Sequence, residues 1–303
     1  MARGEGRLTD IGARRRRRAR RALTTPGLLG LPVAWLAVFF LVPIGIVAAY
    51  SIDALAIFPG KHPITLDGWR ELLHSGIYLG LFWKSVKMSL IVSAIVVLLA
   101  YPLAYYLALS GTKRKYVLLL ILIAPFLTSY LLRVLAWKVI LGSQGVVNSF
   151  LFWTGLRSPD HPIEQLLYSR FAVMLVLAYI WLPFVALPIF VSLENLDMRL
   201  LEAASDLGAT RWQAFLRVTL PLSAPGAAAA FLFIFIPTVG EFVTPSLVGG
   251  TSGYMYGNQI SDLFGTGFPD WRTGSVLALF LLAVIASFTL VFSRFTRTSQ
   301  VVG

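Results

Sequence analysis

No cysteine occurs anywhere in the 303 residues, which excludes disulfides, thiolate metal centres and thiol nucleophiles. Histidine is almost as scarce. His62, His74 and His161 are the three present, and none stands at metal-ligand spacing, so no zinc site is expected. Charged residues make up only 13% of the chain, against roughly 25% in soluble domains. Acids are thinnest of all, 14 against 26 bases. Several catalytic signatures are missing too. Gly111-Thr112-Lys113 lacks the upstream glycine of a phosphate loop, and neither G-x-S-x-G nor H-E-x-x-H occurs. This chain is therefore not expected to hydrolyse ATP or to act as an enzyme. No internal repeat is visible, which weakens an inverted-repeat secondary transporter.

What the chain has in abundance is apolar sequence, 57% of its residues. Six charge-free stretches stand out: Ala22–Ile52, Met88–Thr112, Tyr116–Leu132, Phe171–Leu193, Val218–Gly240 and Thr273–Ser293. Most reach the ~20 residues that a helix needs to cross ~30 Å of hydrocarbon. The third becomes long enough once Arg133 is admitted near its far end. The expected fold is an all-α membrane protein of about six transmembrane helices. Residues 1–21 form a basic tail, 22–297 one membrane domain and 298–303 a short C-terminal tail. Ala54-Leu55-Ala56 could pass for a cleavage site, but the apolar run before it is too long for a signal peptide, so an uncleaved anchor is expected.

Orientation follows from the bases. Nine lie in the N-terminal tail, three at Lys113–Lys115, three in the segment 194–222 (Arg199, Arg211, Arg217) and two at Arg294 and Arg297, making 17 of the 26. The positive-inside rule then puts both termini and the segment 194–222 in the cytoplasm. No nucleic-acid-reading module follows the Arg14–Arg18 run, so no nucleic-acid partner is expected; membrane lipid is the expected contact.

Along the chain, Thr65–Leu73 reads as a short interfacial helix. The second span is expected from about Trp83 to Leu109, kinked at Pro102. The third runs from Tyr116 to Leu141 as one helix containing Pro125, and Val146–Thr154 lies along the interface. The fourth, Phe171–Leu193, carries Pro183 and Pro188. The fifth covers about Leu222–Phe242, and Gly249–Arg272 forms a loop before the last span.

Between the fourth and fifth spans lies a polar island, Leu200–Gly226. Leu200, Ala203, Ala204, Leu207 and Trp212 recur at near-helical spacing among charged residues, which predicts a short amphipathic helix. Gly208 is its natural stop. Here Glu202-Ala203-Ala204, three residues, Gly208, nine residues and then Val218-Thr219-Leu220-Pro221 resemble the EAA loop of permease subunits of type I binding-protein-dependent ABC importers. The family pattern usually has Ile where this chain has Val218. The resemblance implies a bacterial inner-membrane permease working by alternating access. Its implied partners are two ATPase subunits that bind the ATP and Mg²⁺, a second and different permease chain, and an external solute-binding protein. No cofactor would be bound by this chain itself. Glu202, Ala203, Ala204, Asp206, Gly208, Leu220 and Pro221 become the expected ATPase-coupling residues.

Ala124-Pro125-Phe126, Leu132-Arg133-Val134, Trp137, the stretch Pro237–Gly250 and Asp270-Trp271-Arg272 resemble spermidine/putrescine-type permeases more narrowly. A polyamine substrate is implied, with an amino-acid derivative, opine or iron chelate as alternatives. Ionisable residues inside spans are costly and tend to face water or the bundle interior. Glu241 and Arg133 fall at similar depth near the outer mouth. A translocation pathway is therefore expected at Tyr130, Arg133, Trp181, Glu241 and Phe242, where a carboxylate and aromatic faces would meet an ammonium. A structural Glu241–Arg133 ion pair and simple snorkelling are the competing readings.

Overall fold

The computed structural model describes residues 30–55, 64–109, 114–158, 161–265 and 269–299. The basic tail, residues 110–113 and the last four residues are among those that lie outside these. Among the described residues the structure is helical throughout, without strands.

Among the described residues, six helical segments are long and apolar enough to cross a membrane. The first, α1 (Gly30–Ser51), is exposed along most of its length. It is tied to the bundle at its C-terminal end, where Asp53 pairs with Arg272 at 3.1 Å and Tyr50 meets the Trp271 ring edge-on at 5.2 Å. The expected interfacial helix is α2 (Asp67–His74). The second crossing, α3 (Gly76–Leu109), begins seven residues ahead of its expected start and continues through Pro102. Lys84 and Lys87 lie within the expected span, just past the added turns Gly76–Phe82. They are carried on the helix itself, where long stems let the ammonium groups reach the interface.

The third crossing differs most from expectation. It is broken into α4 (Lys115–Ile123), a 3₁₀ turn at Ala124–Leu127 and α5 (Tyr130–Leu141). Pro125 has no amide hydrogen to donate, and Thr128 adopts an extended backbone that ends the turn. Length and apolarity alone would run this crossing from Tyr130 to Trp153. The chain turns instead at Gly142–Gly145, and the Asn148 side chain of α6 (Val146–Trp153) reaches back to the Gly142 carbonyl at 3.0 Å. Contacts with the fourth crossing, α7 (Arg170–Glu194), confirm the path. Lys115 meets Glu194, Phe126 meets Phe184 and Trp137 meets Tyr179, so α4 and α5 together run antiparallel to α7.

The polar island folds as α8 (Met198–Asp206), a turn, and α9 (Arg211–Ala214). From Arg211 the chain stays helical to Val239: α9 passes through a π-helical turn at Phe215–Thr219 into α10 (Leu220–Val239). The fifth crossing was expected to start at Leu222. It starts earlier because the widened turn just ahead of Pro221 absorbs a residue that a regular helix accommodates poorly. Beyond α10 come α11 (Val243–Val248) and then, within the expected loop Gly249–Arg272, α12 (Gly250–Gly253) and α13 (Tyr256–Gly265). The last crossing is α14 (Trp271–Ser299).

The core is the seam between α3, α7 and α10, filled by Val92, Val96, Ala100, Val176, Ile180, Ile189, Ala230 and Ile234. Lipid tails are as apolar as these side chains, so close fit rather than water exclusion holds the helices together. Gly226 shows how close. A Cβ built there would stand 2.3 Å from Ser192 Cβ. A second cluster, with Phe82, Phe235, Tyr256 and Leu277, joins α3, α10, α13 and α14 at the opposite end from the hairpin.

Candidate functional site

Two groups of residues stand out, one at the hairpin and one at mid-depth. In the hairpin, the Asp197 carboxylate caps α8 by accepting from Arg199 N at 3.0 Å. At the other end Ala209 N donates to Ala204 O at 3.0 Å and Gly208 N to Ser205 O at 2.9 Å. This is a Schellman closure, which needs a left-handed residue. Gly208 supplies it with φ +82°. Thr210 and Gln213 then form a capping box that starts α9. The expected short helix with its stop at Gly208 is present, and α9 follows it to complete a helix–glycine–helix hairpin.

No residue of α8 is buried. Leu200 is 47% and Leu207 89% exposed, and Glu202, Ala203, Asp206 and Gly208 are exposed alongside them. Leu200 and Leu207 thus form an exposed apolar stripe on this helix among the described residues. Leu220 and Pro221, also exposed, sit where the widened turn passes into α10. The rising arm is keyed firmly to α3: Phe215 packs edge-on against Tyr101 and Tyr105 at 5.9 and 5.5 Å. Ser223 donates to Thr219 O at 2.7 Å, so its oxygen accepts from the Tyr101 hydroxyl at 2.6 Å.

At mid-depth, three crossings contribute rings to one another. Phe126 meets Phe184 at 4.3 Å, Phe184 meets Trp181 at 5.7 Å, and Phe233 lies 6.2 Å from both of the latter. Trp181 is 13 residues from the end of α7 and Phe233 13 from the start of α10, or ~20 Å along each helix. Arg133, 8% exposed, lays its guanidinium over Phe126 at 5.2 Å and Tyr130 at 5.9 Å. The Tyr130 hydroxyl bonds Thr244 Oγ1 at 2.7 Å.

Glu241 lies past the end of α10 rather than within it, half-buried in the turn. Its Oε1 accepts from Val243 N at 2.9 Å and Thr244 N at 3.1 Å, capping α11. Among the described residues the ion pairs do not include Arg133–Glu241. Tyr130 stands between them: its ring lies under the Arg133 guanidinium, and its hydroxyl bonds Thr244, whose amide donates to Glu241. Trp181 joins this group by way of Phe126 and Phe184. Phe242 does not: it lines a separate cavity of about 430 Å³ with Gly240, Ile260 and Leu281, on the α13 and α14 side.

Sequence reasoning missed Phe184 and Phe233 as members of the aromatic group. Trp181 and Phe184, three apart on a helix, carried the signal, since that spacing puts two rings on one face. It also missed Lys115 and Glu194, whose pairing spans 79 positions of sequence.

Six apolar helices long enough to cross a membrane, a capped hairpin exposed at the basic end and a broken third span beside an aromatic group are the features of a membrane transport subunit. The chain belongs to the family described as binding-protein-dependent transport system inner membrane component, which it matches over residues 76–298. Its curated relatives are permease proteins. It is 36% identical over 269 residues to the spermidine/putrescine transport system permease protein PotB of Escherichia coli K12, covering 88% of this chain and 95% of that one. The PotB of Haemophilus influenzae is 36% identical over 264 residues, 86% and 90% of the two chains. The inner membrane ABC transporter permease protein YdcU of E. coli K12 is 33% identical over 74% of this chain and 75% of its own. A chain of the bacterial alginate ABC transporter crystallised with an alginate-bound periplasmic protein has the same fold, with TM-score 0.68, 19% identity and coverage of 93% and 96%. The protein is therefore an inner-membrane permease subunit of an ABC importer, a class that works with ATPase and periplasmic binding-protein partners.

Proposed function

We propose that this chain is one half of the gate of an ATP-driven polyamine importer of the spermidine/putrescine kind. The observation that carries the substrate class is the 36% identity to PotB across 88% of the chain. The basic end, with Lys115, Arg199, Arg211 and Arg217, faces the cytoplasm by the positive-inside rule. There α8 sits in a groove of an ATPase subunit, with Glu202, Ala203, Ala204, Asp206 and Gly208 at the contact. Two ATPase subunits bind the ATP and Mg²⁺, a second and different permease chain completes the gate, and an external binding protein delivers the solute. This chain binds no cofactor.

The unbroken helix from Arg211 to Val239 makes the hairpin a lever. Closure of the ATPases pushes α8; the α9 arm, keyed to α3 through Phe215, transmits the push past Leu220 and Pro221 into α10. The pathway lies on the face of the broken third crossing. Residues Ala124–Ser129 are exposed at mid-depth, and irregular backbone is not tolerated against lipid. That face must meet water or the second permease chain. It offers Phe126, Phe184, Trp181 and Phe233 as ring faces for the methylene and ammonium groups of a polyamine. Glu241 and Tyr130 supply a polar step nearer the binding protein. Arg133, of the substrate's own sign, holds Phe126 and Tyr130 by stacking and keeps the site weak enough for release. Phe242 contributes from behind, through the turn it shares with Glu241.

Uptake of labelled spermidine by vesicles holding the complete complex tests this. Spermidine and putrescine should compete for uptake, and an opine or an amino acid should not. Glu241→Gln should slow uptake with the complex intact. Competition by amino acids in place of polyamines would overturn the substrate class.

A further inference from the structure

Between α3 and the rising arm of the hairpin lies a cavity of about 480 Å³, lined by Tyr101, Pro102, Tyr105, Arg211, Trp212 and Phe215. Its volume falls within the range of small-molecule sites, and its two ends differ in chemistry. Tyr101 sits level with Ser223, three residues inside α10, where the two hydroxyls bond. Arg211 is 12 residues earlier on the same continuous helix, or ~18 Å nearer the basic face. One end is thus aromatic and at hydrocarbon depth, the other cationic and at headgroup depth.

We propose that this cavity binds an anionic phospholipid, its acyl chain against Tyr101, Pro102, Tyr105 and Phe215 and its phosphate on Arg211. Charge complementarity favours this occupant. Arg211 is exposed and makes no ion pair among the described residues, and basic pockets between spans on the cytoplasmic side are suited to anionic headgroups. Trp212, 66% exposed and stacked on Phe215 at 5.3 Å, has the placement of an interfacial ring. A lipid held here touches both α3 and the arm that moves with the ATPases, so its presence stiffens the joint between them. The assignment to the cytoplasmic leaflet rests on the orientation proposed above.

Quenching of tryptophan emission by brominated lipid tests the site directly. The complete complex is placed in vesicles of phosphatidylcholine containing either brominated phosphatidylglycerol or brominated phosphatidylcholine in both leaflets. The Trp212 share is taken as the difference from Trp212→Phe. Phosphatidylglycerol should quench that share at a several-fold lower mole fraction, and Arg211→Gln should remove about a fivefold preference, the contribution of one basic residue beside anionic headgroups. Equal quenching by the two lipids, or a preference that survives Arg211→Gln, would overturn the proposal. So would an absence of quenching, which would mean that an ATPase surface or the second permease chain fills the cavity. The readout depends on neither orientation nor transport, so it can fail while the importer reading stands.

Discussion

Lys115, the first residue of α4, and Glu194, the last residue of α7, form an ion pair at 2.5 Å, and the Tyr116 hydroxyl donates to the same carboxylate oxygen at 3.2 Å. The pair closes the third crossing onto the fourth just ahead of the hairpin. Each side chain is a quarter to a third exposed, so its worth is positional more than energetic. Lys115→Glu and Glu194→Lys should each reduce uptake. The double exchange should recover most of it, as a charge-swap cycle of uptake rates in the assembled complex would show.

Gly208 offers a way to separate backbone strain from docking. An L residue there meets a left-handed backbone at roughly 1–2 kcal/mol, although the space around its Cβ is open. Asn and Asp tolerate that backbone similarly. Gly208→Asn should therefore keep ATPase-coupled uptake, Gly208→Asp should lose it by placing a charge against the partner, and Gly208→Val should lose it through strain. Copurification of the ATPase with each variant is the measurement.

The close approach of α7 and α10 predicts a stability effect without any change of charge. Gly226→Ala would drive its Cβ into Ser192, at 2.3 Å from Cβ and 2.6 Å from Oγ. Overpacking of this kind costs about 1–3 kcal/mol, read as a lowered melting temperature of the solubilised complex. Ser192→Gly in the same chain should restore part of the loss.

Phe184 touches both Phe126 and Trp181 and is the ring on which the proposed pathway turns. Phe184→Leu removes a cation–π face of about 0.5–2 kcal/mol, which corresponds to about a 2- to 30-fold rise in apparent KM for spermidine. Phe184→Tyr should keep the wild-type value. An unchanged KM in the leucine variant would place the solute elsewhere.

Much of this architecture was legible in the sequence because membrane crossings announce themselves by length and apolarity. The hairpin was legible because Gly208 and the Leu200–Leu207 spacing obey local helix rules. Its rising arm was not. The fifth span was expected from about Leu222, whereas a π-turn at Phe215–Thr219, ahead of Pro221 and Pro225, joins the arm to α10 without a break. The break in the third crossing escaped for a related reason: Pro125 allows either a kink or an interruption, and tertiary context decides which. Phe242 was drawn to Glu241 by adjacency, yet consecutive residues in a turn point to different neighbours. Here one faces α11 and the other the α13–α14 cavity.

The account depends most on the hairpin meeting an ATPase. The chain has no cysteine of its own, and Leu207, 89% exposed at the tip of α8, accepts a reporter without disturbing the fold. Leu207→Cys carrying a short photo-crosslinker, in the complete and transport-active complex, should yield a product with the ATPase subunit. A product with the external binding protein, or none with the ATPase while uptake proceeds, would contradict the account.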